Sequence, residues 1–183
     1  IVLYIGTHGL SQGLSTIIEA AALLQDRKEI RFVFAGQGAE RETLMWQARE
    51  RKLANVQFLP MQSKERMPDF YAAADICLVP LKKRDYFLYN IPSKMFEIMA
   101  CARPMVLGVQ GQALEILEAA NAGVAVEPEN AQAYADAIRD LADNPGKRAE
   151  FGRNGRKHAV EQYSRRQKAA DYLVLLREVT GGG

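Results

Sequence analysis

The residues best suited to chemistry are a lysine and a glutamate three positions apart, Lys94 and Glu97. Ser93 is a natural helix N-cap, so this spacing predicts that both side chains lie on one face of a first helical turn. An ammonium group beside helix N–H groups suits a diphosphate, and a carboxylate suits the paired hydroxyls of a ribose. The alternative is an intrahelical ion pair on a solvated face, and spacing alone leaves both open.

A glycine-rich segment near the start of the chain is a second candidate. It follows a predicted strand and leads into a predicted helix. Its candidate residues are Gly6, Thr7, His8, Gly9, Gln12 and Gly13. Glycines let a ligand approach the backbone closely, and a helix N-terminus offers N–H donors and partial positive charge to a phosphate. A turn that only joins strand to helix is the alternative, and His8 could donate to a phosphate or cap the loop.

Three further loops follow predicted strands and could border the same crevice. Their candidate residues are Gly36, Gly38, Pro60, Met61, Gly111 and Gln112. The glycine spacing of the first loop is too short for a dinucleotide fingerprint, so it predicts no nicotinamide or flavin. Backbone groups of the second could read a nucleobase edge, and the third opens a helix whose amides could hold a phosphate or a sugar hydroxyl. Ordinary turns would explain all three loops equally well.

The segment 82–90 is predicted to be a long loop that carries three consecutive cations and three aromatic residues. Long loops at the carboxyl end of a sheet are usually functional or mobile. This loop could cover a bound ligand or contact an anionic acceptor. It could equally be a solvated loop whose aromatic side chains pack locally.

The elements that position these candidates can be predicted from alternating apolar runs and helical patterns. They predict a Rossmann-like, doubly wound α/β domain, a six-stranded parallel sheet with helices on both faces. The predicted strands are Val2–Ile5, Ile30–Ala35, Val56–Leu59, Ile76–Val79, Met105–Val109 and Val124–Val126. The predicted helices are Leu14–Leu24, Arg41–Leu53, Lys64–Ala73, Ser93–Ala100 and Leu114–Ala120, followed by extra C-terminal helices at Ala131–Ala142, Lys147–Val160 and Arg165–Glu178. Ligands of such sheets bind beyond the carboxyl ends of the strands, where the candidate loops fall.

Composition limits the possible partners. The 183 residues are 48% hydrophobic and 25% charged, which predicts one domain over residues 1–180 and a flexible tail over 181–183. A net charge of +2 gives no support for a nucleic acid partner. Cys77 and Cys101 are expected to be free thiols, and we expect a cytoplasmic protein. Because the first strand begins without a methionine, we expect the natural protein to start upstream.

The segment 92–104, PSKMFEIMACARP, resembles the C-terminal domain of family 4 glycosyltransferases, whose GT-B fold consists of two facing Rossmann-like domains. The resemblance covers residues 1 to 176 and includes the glycine segment, the 36–38 turn and the stretches 55–60 and 73–76. The string GTHGLSQGL at 6–14 is most similar to the fucosamine-transferase-like enzymes of bacterial O-antigen and capsule synthesis.

The resemblance implies the donor-binding half of a retaining glycosyltransferase, with Glu97 on the ribose and Lys94 near the diphosphate. Its ligand would be a nucleotide-diphospho-sugar, and a UDP-sugar is favoured by analogy. The N-terminal acceptor domain would be missing, so the fragment would bind its donor without turnover. In the full enzyme the acceptor would be a lipid-linked saccharide, with peripheral attachment to the inner face of the cytoplasmic membrane.

Two departures from the family pattern matter. Tyr89 occupies the position of the first glutamate of the paired-glutamate motif, eight residues before Glu97, and Thr7 and Gln12 replace the usual arginine and lysine of the first loop. Lys94 then becomes the principal cation facing the phosphates. Without an acidic cluster near the site, we expect no cofactor and no metal requirement. Half of a nucleotide-sugar epimerase and a non-catalytic nucleotide-binding module are the alternatives.

Overall fold

Six short parallel strands form the centre of the computed structural model, which describes residues 1–181. The strands are β1 (Val2–Ile5), β2 (Phe32–Ala35), β3 (Val56–Leu59), β4 (Ile76–Pro80), β5 (Met105–Gly108) and β6 (Gly123–Ala125). Their order across the sheet is β3-β2-β1-β4-β5-β6, with β1 hydrogen-bonded to both β2 and β4. The sheet therefore reverses its winding direction between β1 and β4, which confirms the predicted doubly wound α/β class.

Helices cover both faces of this sheet. They are α1 (Leu14–Leu23), α2 (Arg41–Glu50), α3 (Met67–Ala73), α4 (Lys94–Ala100), α5 (Gln112–Ala120), α6 (Ala131–Asp143), α7 (Pro145–Tyr163) and α8 (Arg165–Thr180). Short 3-10 turns span Leu10–Gln12, Lys64–Arg66 and Asp85–Tyr89. The three helices predicted after residue 131 are present with no strand among them, as expected.

The strand β1 shows how the sheet divides the interior into two cores. Its side chains alternate, so Val2 and Tyr4 pack in one core with residues of α1 and α6, while Leu3 and Ile5 pack in the other with residues of α4 and α5. Because both faces are buried, the strand is apolar at every position, as is typical of parallel sheets. The loop after β1 therefore leaves from a rigid central strand.

Several predicted boundaries were wrong where proline was involved. The predicted helix Lys64–Ala73 is a 3-10 turn followed by α3, which begins at Met67 with Pro68 in its first turn. The next predicted helix was expected to begin at Lys147, after Pro145 and Gly146, but Pro145 is the first residue of α7. Proline lacks only an N–H that the first helical turn leaves unpaired, so it begins a helix as readily as it ends one.

The remaining differences lie at element ends. β2 begins at Phe32 rather than at residue 30, and α2 ends at Glu50, two residues before Lys52 adopts a φ of 52°. Gly181 ends α8 in a left-handed conformation with a φ of 66°. The rest of the predicted flexible tail, residues 182 and 183, lies outside the described residues.

Candidate functional site

A cleft of about 350 Å³ opens where β1, β2 and β3 end. The loop after each of these strands lines one side of the cleft, and Glu97 of α4 lines the side opposite these loops. The predicted site residues in its lining are Gly6, Thr7, Gly36, Met61 and Glu97. An adjoining depression is lined by Gly38 and Pro60 together with Gln37 and Arg41. The structure thus brings three of the predicted loops to one place.

Lys94 lies against the turn that follows β1. Its Nζ donates a hydrogen bond of 2.9 Å to the carbonyl oxygen of Ile5 and lies 4.1 Å from the centre of the Tyr4 ring. A Cβ atom added at Gly6 would come within 2.9 Å of this Nζ, so the glycine makes room for the ammonium group. Burial lowers the pKa of Lys94 to about 8, although the charge of Glu97 opposes this shift.

Glu97 is exposed on the same helix and faces the cleft. One of its oxygens, Oε2, accepts a hydrogen bond of 3.0 Å from the hydroxyl of Tyr71. Within the described part of the chain, no salt bridge joins it to Lys94. The intrahelical ion pair that spacing had left open is therefore not formed, and the two charges have different partners.

Ser93 precedes α4 as predicted, but its side chain makes no capping hydrogen bond. Its backbone is helical, with φ −56° and ψ −30°, whereas a capping side chain needs an extended backbone to reach the following amides. The first turn is closed instead by main-chain bonds, from Met95 N–H to the oxygen of Pro92 and from Phe96 N–H to the oxygen of Ser93. The position of the cap was right, and the expected bond is absent.

His8 lies beneath the loops rather than in the cleft. Its side chain is 0% exposed, and its ring centre is 5.7 Å from that of Tyr4 and 6.3 Å from that of Phe58. Neither ring nitrogen has a hydrogen-bond partner among residues 1–181. Burial, with smaller contributions from the charges of Arg41 and Lys94, lowers the pKa of His8 to about 4. The imidazole is therefore neutral and packs as an aromatic ring. Because the ring is buried, it cannot donate to a phosphate in the cleft, which was one of its two predicted roles.

The backbone of His8 joins the first two glycine loops. Its N–H donates to the carbonyl oxygen of Gln37 at 2.8 Å, and its own carbonyl oxygen accepts from the N–H of Glu40 at 2.9 Å. A Cβ atom at Gly36 or at Gly38 would collide with the backbone of the first loop. These glycines therefore allow the two loops to pack directly on each other, and this close approach shapes the floor of the cleft.

The other predicted residues of the first loop contact neighbouring segments. The side chain of Gln12 folds back and accepts a hydrogen bond of 3.1 Å from the N–H of Gly9. Gly13 has a φ of 60° and packs against the side chain of Lys82. These residues are outside the lining of the cleft, and Gly13 packs the first loop on the segment 82–90.

The segment 82–90 is held by acidic residues. Lys83 Nζ lies 2.6 Å from Glu127, its N–H donates to Glu129 at 2.8 Å, and Arg84 lies 3.9 Å from Glu129. Two of the three consecutive cations are thus paired within the domain, which leaves less charge for an anionic acceptor. Tyr89, which replaces the first glutamate of the family motif, is 77% exposed at the end of the 3-10 turn within this segment.

Gly111 and Gln112 lie next to this segment. Gly111 has a φ of 68°, and a Cβ atom there would collide with the backbone of Leu88. Gln112 is the first residue of α5. The structure therefore places both residues beside the 82–90 segment and outside the lining of the 350 Å³ cleft.

Several residues at the cleft are not among the predicted site residues. Gln37 and Gln62 line it and lie in two of the loops that were predicted to border it, whereas Lys64, which also lines it, was predicted only to begin a helix. All three follow predicted strands, so their position at the carboxyl ends was a signal that could have found them. Tyr71 lies outside the lining and donates a hydrogen bond to Glu97. Tyr71 is 26 residues from its partner Glu97, and no local spacing reveals such a pair.

The described residues contain neither a metal-binding cluster nor a helix that could span a membrane. No group of three or more His, Cys, Asp or Glu side chains within residues 1–181 is arranged to hold a metal ion, and metal independence stays a prediction. No helix in this range is both long and apolar enough to cross a lipid bilayer. Cys77 and Cys101 are free thiols, as predicted.

Comparisons with known proteins agree on one family. Residues 1–158 match the family model of glycosyl transferases group 1. WcaI of Escherichia coli K12, a glycosyl transferase named for colanic acid biosynthesis, is 35% identical over 144 residues, covering 76% of this chain and 34% of WcaI.

Solved structures share the fold. Sucrose-phosphate synthase from Thermosynechococcus elongatus has a TM-score of 0.85 and 25% identity, over 100% of this chain and 46% of that one. HepE of Anabaena, solved in complex with UDP, has a TM-score of 0.82 and 21% identity, over 94% of this chain and 48% of HepE. The chain thus spans about a third to a half of the length of these three proteins.

Proposed function

The chain belongs to the group 1 glycosyltransferases, and on that premise we propose that it is the donor-binding half of a retaining enzyme that uses a nucleotide-diphospho-sugar. The observation that carries the proposal is the position of two charges around one glycine turn. Lys94 reaches the backbone at Gly6 from one side, and Glu97 faces the same cleft with an exposed carboxylate. A cation beside a backbone turn and a carboxylate across a cleft match the two ends of a ribose diphosphate.

The proposed role of Lys94 follows from its remaining hydrogen-bond capacity. An ammonium group has three donors, and Lys94 uses one of them on the carbonyl oxygen of Ile5. The others can donate to phosphate oxygens placed beside Gly6 and Thr7. Because negative charge grows on the diphosphate as the glycosidic bond breaks, a cation already fixed in position stabilises the transition state more than the ground state.

We propose uridine diphosphate as the nucleotide. The loops after β2 and β3 place Gln37, Met61 and Gln62 around the cleft, next to the carboxylate proposed for the ribose. Amide side chains and backbone groups can pair with the donor and acceptor edge of a pyrimidine. HepE, which shares this fold, is solved with UDP.

We propose that a preceding domain binds a lipid-linked saccharide acceptor at the inner face of the cytoplasmic membrane, and that the product enters a surface polysaccharide. The family match and the name of WcaI support this context. The fragment alone would bind donor without transferring sugar, since the acceptor groups belong to the other domain.

Isothermal titration calorimetry on this chain tests the binding site. UDP, GDP and dTDP are titrated in turn, and UDP is expected to bind most tightly. Lys94→Ala should weaken UDP binding by about 10- to 100-fold, the range expected for loss of a charged hydrogen bond. Lys157→Ala is the matched control, because Lys157 is exposed on α7, away from the cleft.

Two results would contradict the proposal. If none of the three nucleotides binds, the cleft is not a nucleotide site. If Lys94→Ala and Lys157→Ala bind UDP as the unchanged chain does, the diphosphate lies elsewhere. Product analysis with the full-length protein, a panel of nucleotide sugars and added EDTA then separates transfer from epimerisation or simple binding, and tests metal independence.

A further inference from the structure

We propose that Tyr71 is a positioning residue that fixes the carboxylate of Glu97 for the ribose of the donor. This inference rests on the proposed function, since it assigns a supporting partner to the ribose contact. The two residues lie on different helices, α3 and α4, and their side chains are joined by a hydrogen bond. No motif or spacing in the sequence connects them.

The contact has the geometry of a directed hydrogen bond. The hydroxyl of Tyr71 donates to Oε2 of Glu97 at 3.0 Å, and the tyrosine side chain is 1% exposed. Most buried tyrosine hydroxyls have a hydrogen-bond partner, and among the described residues the partner of Tyr71 is this carboxylate. Burial first, and then the charge of Glu97, raises the pKa of Tyr71, so the hydroxyl keeps its proton at neutral pH and remains a donor.

The second carboxylate oxygen of Glu97, Oε1, is available to a ligand. Oε1 of Glu97 accepts no hydrogen bond from any residue that the structure describes, and the side chain lines the cleft. A glutamate on a helix surface normally samples many rotamers, and binding must then fix one of them at an entropic cost. By holding Oε2, Tyr71 reduces this cost before the ligand arrives. The ribose hydroxyls then meet an acceptor that is already oriented.

The experiment measures how strongly the site discriminates for ribose hydroxyls. Calorimetry gives the Kd of UDP and of 2′,3′-dideoxyuridine diphosphate for the unchanged chain, for Tyr71→Phe and for Glu97→Gln. We expect the unchanged chain to prefer UDP, and we expect Tyr71→Phe to reduce that preference by about three- to tenfold. The Kd of the dideoxy compound should stay constant, because that ligand makes no ribose contact. Adding Tyr71→Phe to Glu97→Gln should cause no further loss.

Tyr134→Phe is the matched control. Tyr134 is also 1% exposed, but its hydroxyl has no hydrogen-bond partner in residues 1–181 and it packs in the other core. Removing that hydroxyl should leave both Kd values unchanged. Thermal unfolding of the two variants verifies that each is folded before the affinities are compared.

The outcomes separate this inference from the function on which it rests. If UDP does not bind the unchanged chain, the proposed function fails. If UDP binds and Glu97→Gln loses the ribose preference while Tyr71→Phe keeps it, Tyr71 is not a positioning residue. A Tyr71→Phe variant that binds both nucleotides more weakly by the same factor also overturns the inference, because a purely structural role predicts that result.

Discussion

Lys94 must remain charged although it is largely removed from water. Its ammonium group is held by a single carbonyl oxygen and the face of the Tyr4 ring, which stabilise a cation less well than bulk water does. The resulting pKa of about 8 lies close to physiological pH. A bound diphosphate would supply the missing negative charge and raise that pKa, so that nucleotide binding and protonation of Lys94 are coupled.

This coupling predicts a pH dependence of nucleotide affinity. Between the pKa of the free protein, about 8, and the higher pKa of the complex, binding takes up a proton, so affinity falls as pH rises. We expect the Kd of UDP to be nearly constant from pH 7 to 7.5 and to increase by up to about tenfold per pH unit above 8. Calorimetry in buffers of different ionisation enthalpy measures the proton uptake directly.

Lys94→Ala provides the control for this prediction. Its UDP affinity should be low and should not change between pH 7.5 and 9.5. If the unchanged chain shows a flat profile over that range, or if the alanine variant retains the slope, the proton is taken up by another group.

The sequence identified Lys94 and Glu97 because their spacing and the surrounding motif are local features. It did not identify Tyr71, and it left two roles open for His8. The environments of Tyr71 and of His8 depend on residues that are distant in the chain, such as Phe34 and Phe58, whose rings pack around His8. Residue type and spacing therefore predicted Glu97, which lines the cleft, and Lys94, which packs on the turn beside it, whereas the residues that contact them required the tertiary structure.

At the scale of elements, α4 is positioned largely by its contact with α7. Gly152 and Gly155 lie on the face of α7 that packs on α4 and on the residues that follow it. A Cβ atom at Gly152 would collide with the backbone of Ala102, and one at Gly155 would come within 3.2 Å of the Met99 side chain. These glycines allow the two helices to approach closely, and α4 carries both charges of the site.

Replacing Gly152 and Gly146, which both lie in α7, by alanine should have opposite effects on the free energy of unfolding. Gly152→Ala is expected to lower the free energy of unfolding by about 1–3 kcal/mol, because the methyl group cannot be accommodated without moving α7. Gly146→Ala is the matched control, since a Cβ atom there meets nothing within 4 Å. It should raise that free energy by about 0.4–1 kcal/mol, because alanine loses less conformational entropy in a helix.

Urea denaturation of both variants, with the slope held equal, measures these differences. Equal stability of Gly152→Ala and the unchanged chain would mean that α7 does not pack as closely on α4 as the structure indicates. Destabilisation by Gly146→Ala would contradict the helical start at Pro145. That start is also where sequence reasoning failed, because proline followed by glycine is compatible with a turn and with a first helical turn alike.

At the scale of the whole molecule, the alternation of apolar runs and helical patterns was sufficient to predict six parallel strands and a doubly wound sheet. The resemblance around residues 92–104 led to the same architecture, and the family match supports both. The acidic residues that hold the 82–90 segment were not predicted. Glu127 and Glu129 are more than 40 residues away from Lys83, and Glu129 adopts a φ of 60°, which sequence patterns do not reveal.

The helix α8 differs from the other helices because it has no buried side chain among those that the structure describes. Every side chain described within it is exposed, including Tyr172, Leu175 and Val179. Its helical start is supported by Ser164, whose side chain accepts a hydrogen bond of 3.1 Å from the N–H of Gln167. The preceding helix α7 differs, since Phe151 and Ala159 belong to the two cores.

This difference predicts that the domain folds without α8. A chain ending at Ser164 should have a Tm within about 2 °C of the unchanged chain, because little apolar surface is lost from either core and about 1 kcal/mol shifts the Tm of a domain this size by 2–4 °C. A chain ending at Asn144, which also lacks α7, should show no cooperative transition. Circular dichroism during heating measures both. If the Tm of the chain that ends at Ser164 falls by more than about 5 °C, α8 packs on this domain and the prediction is wrong.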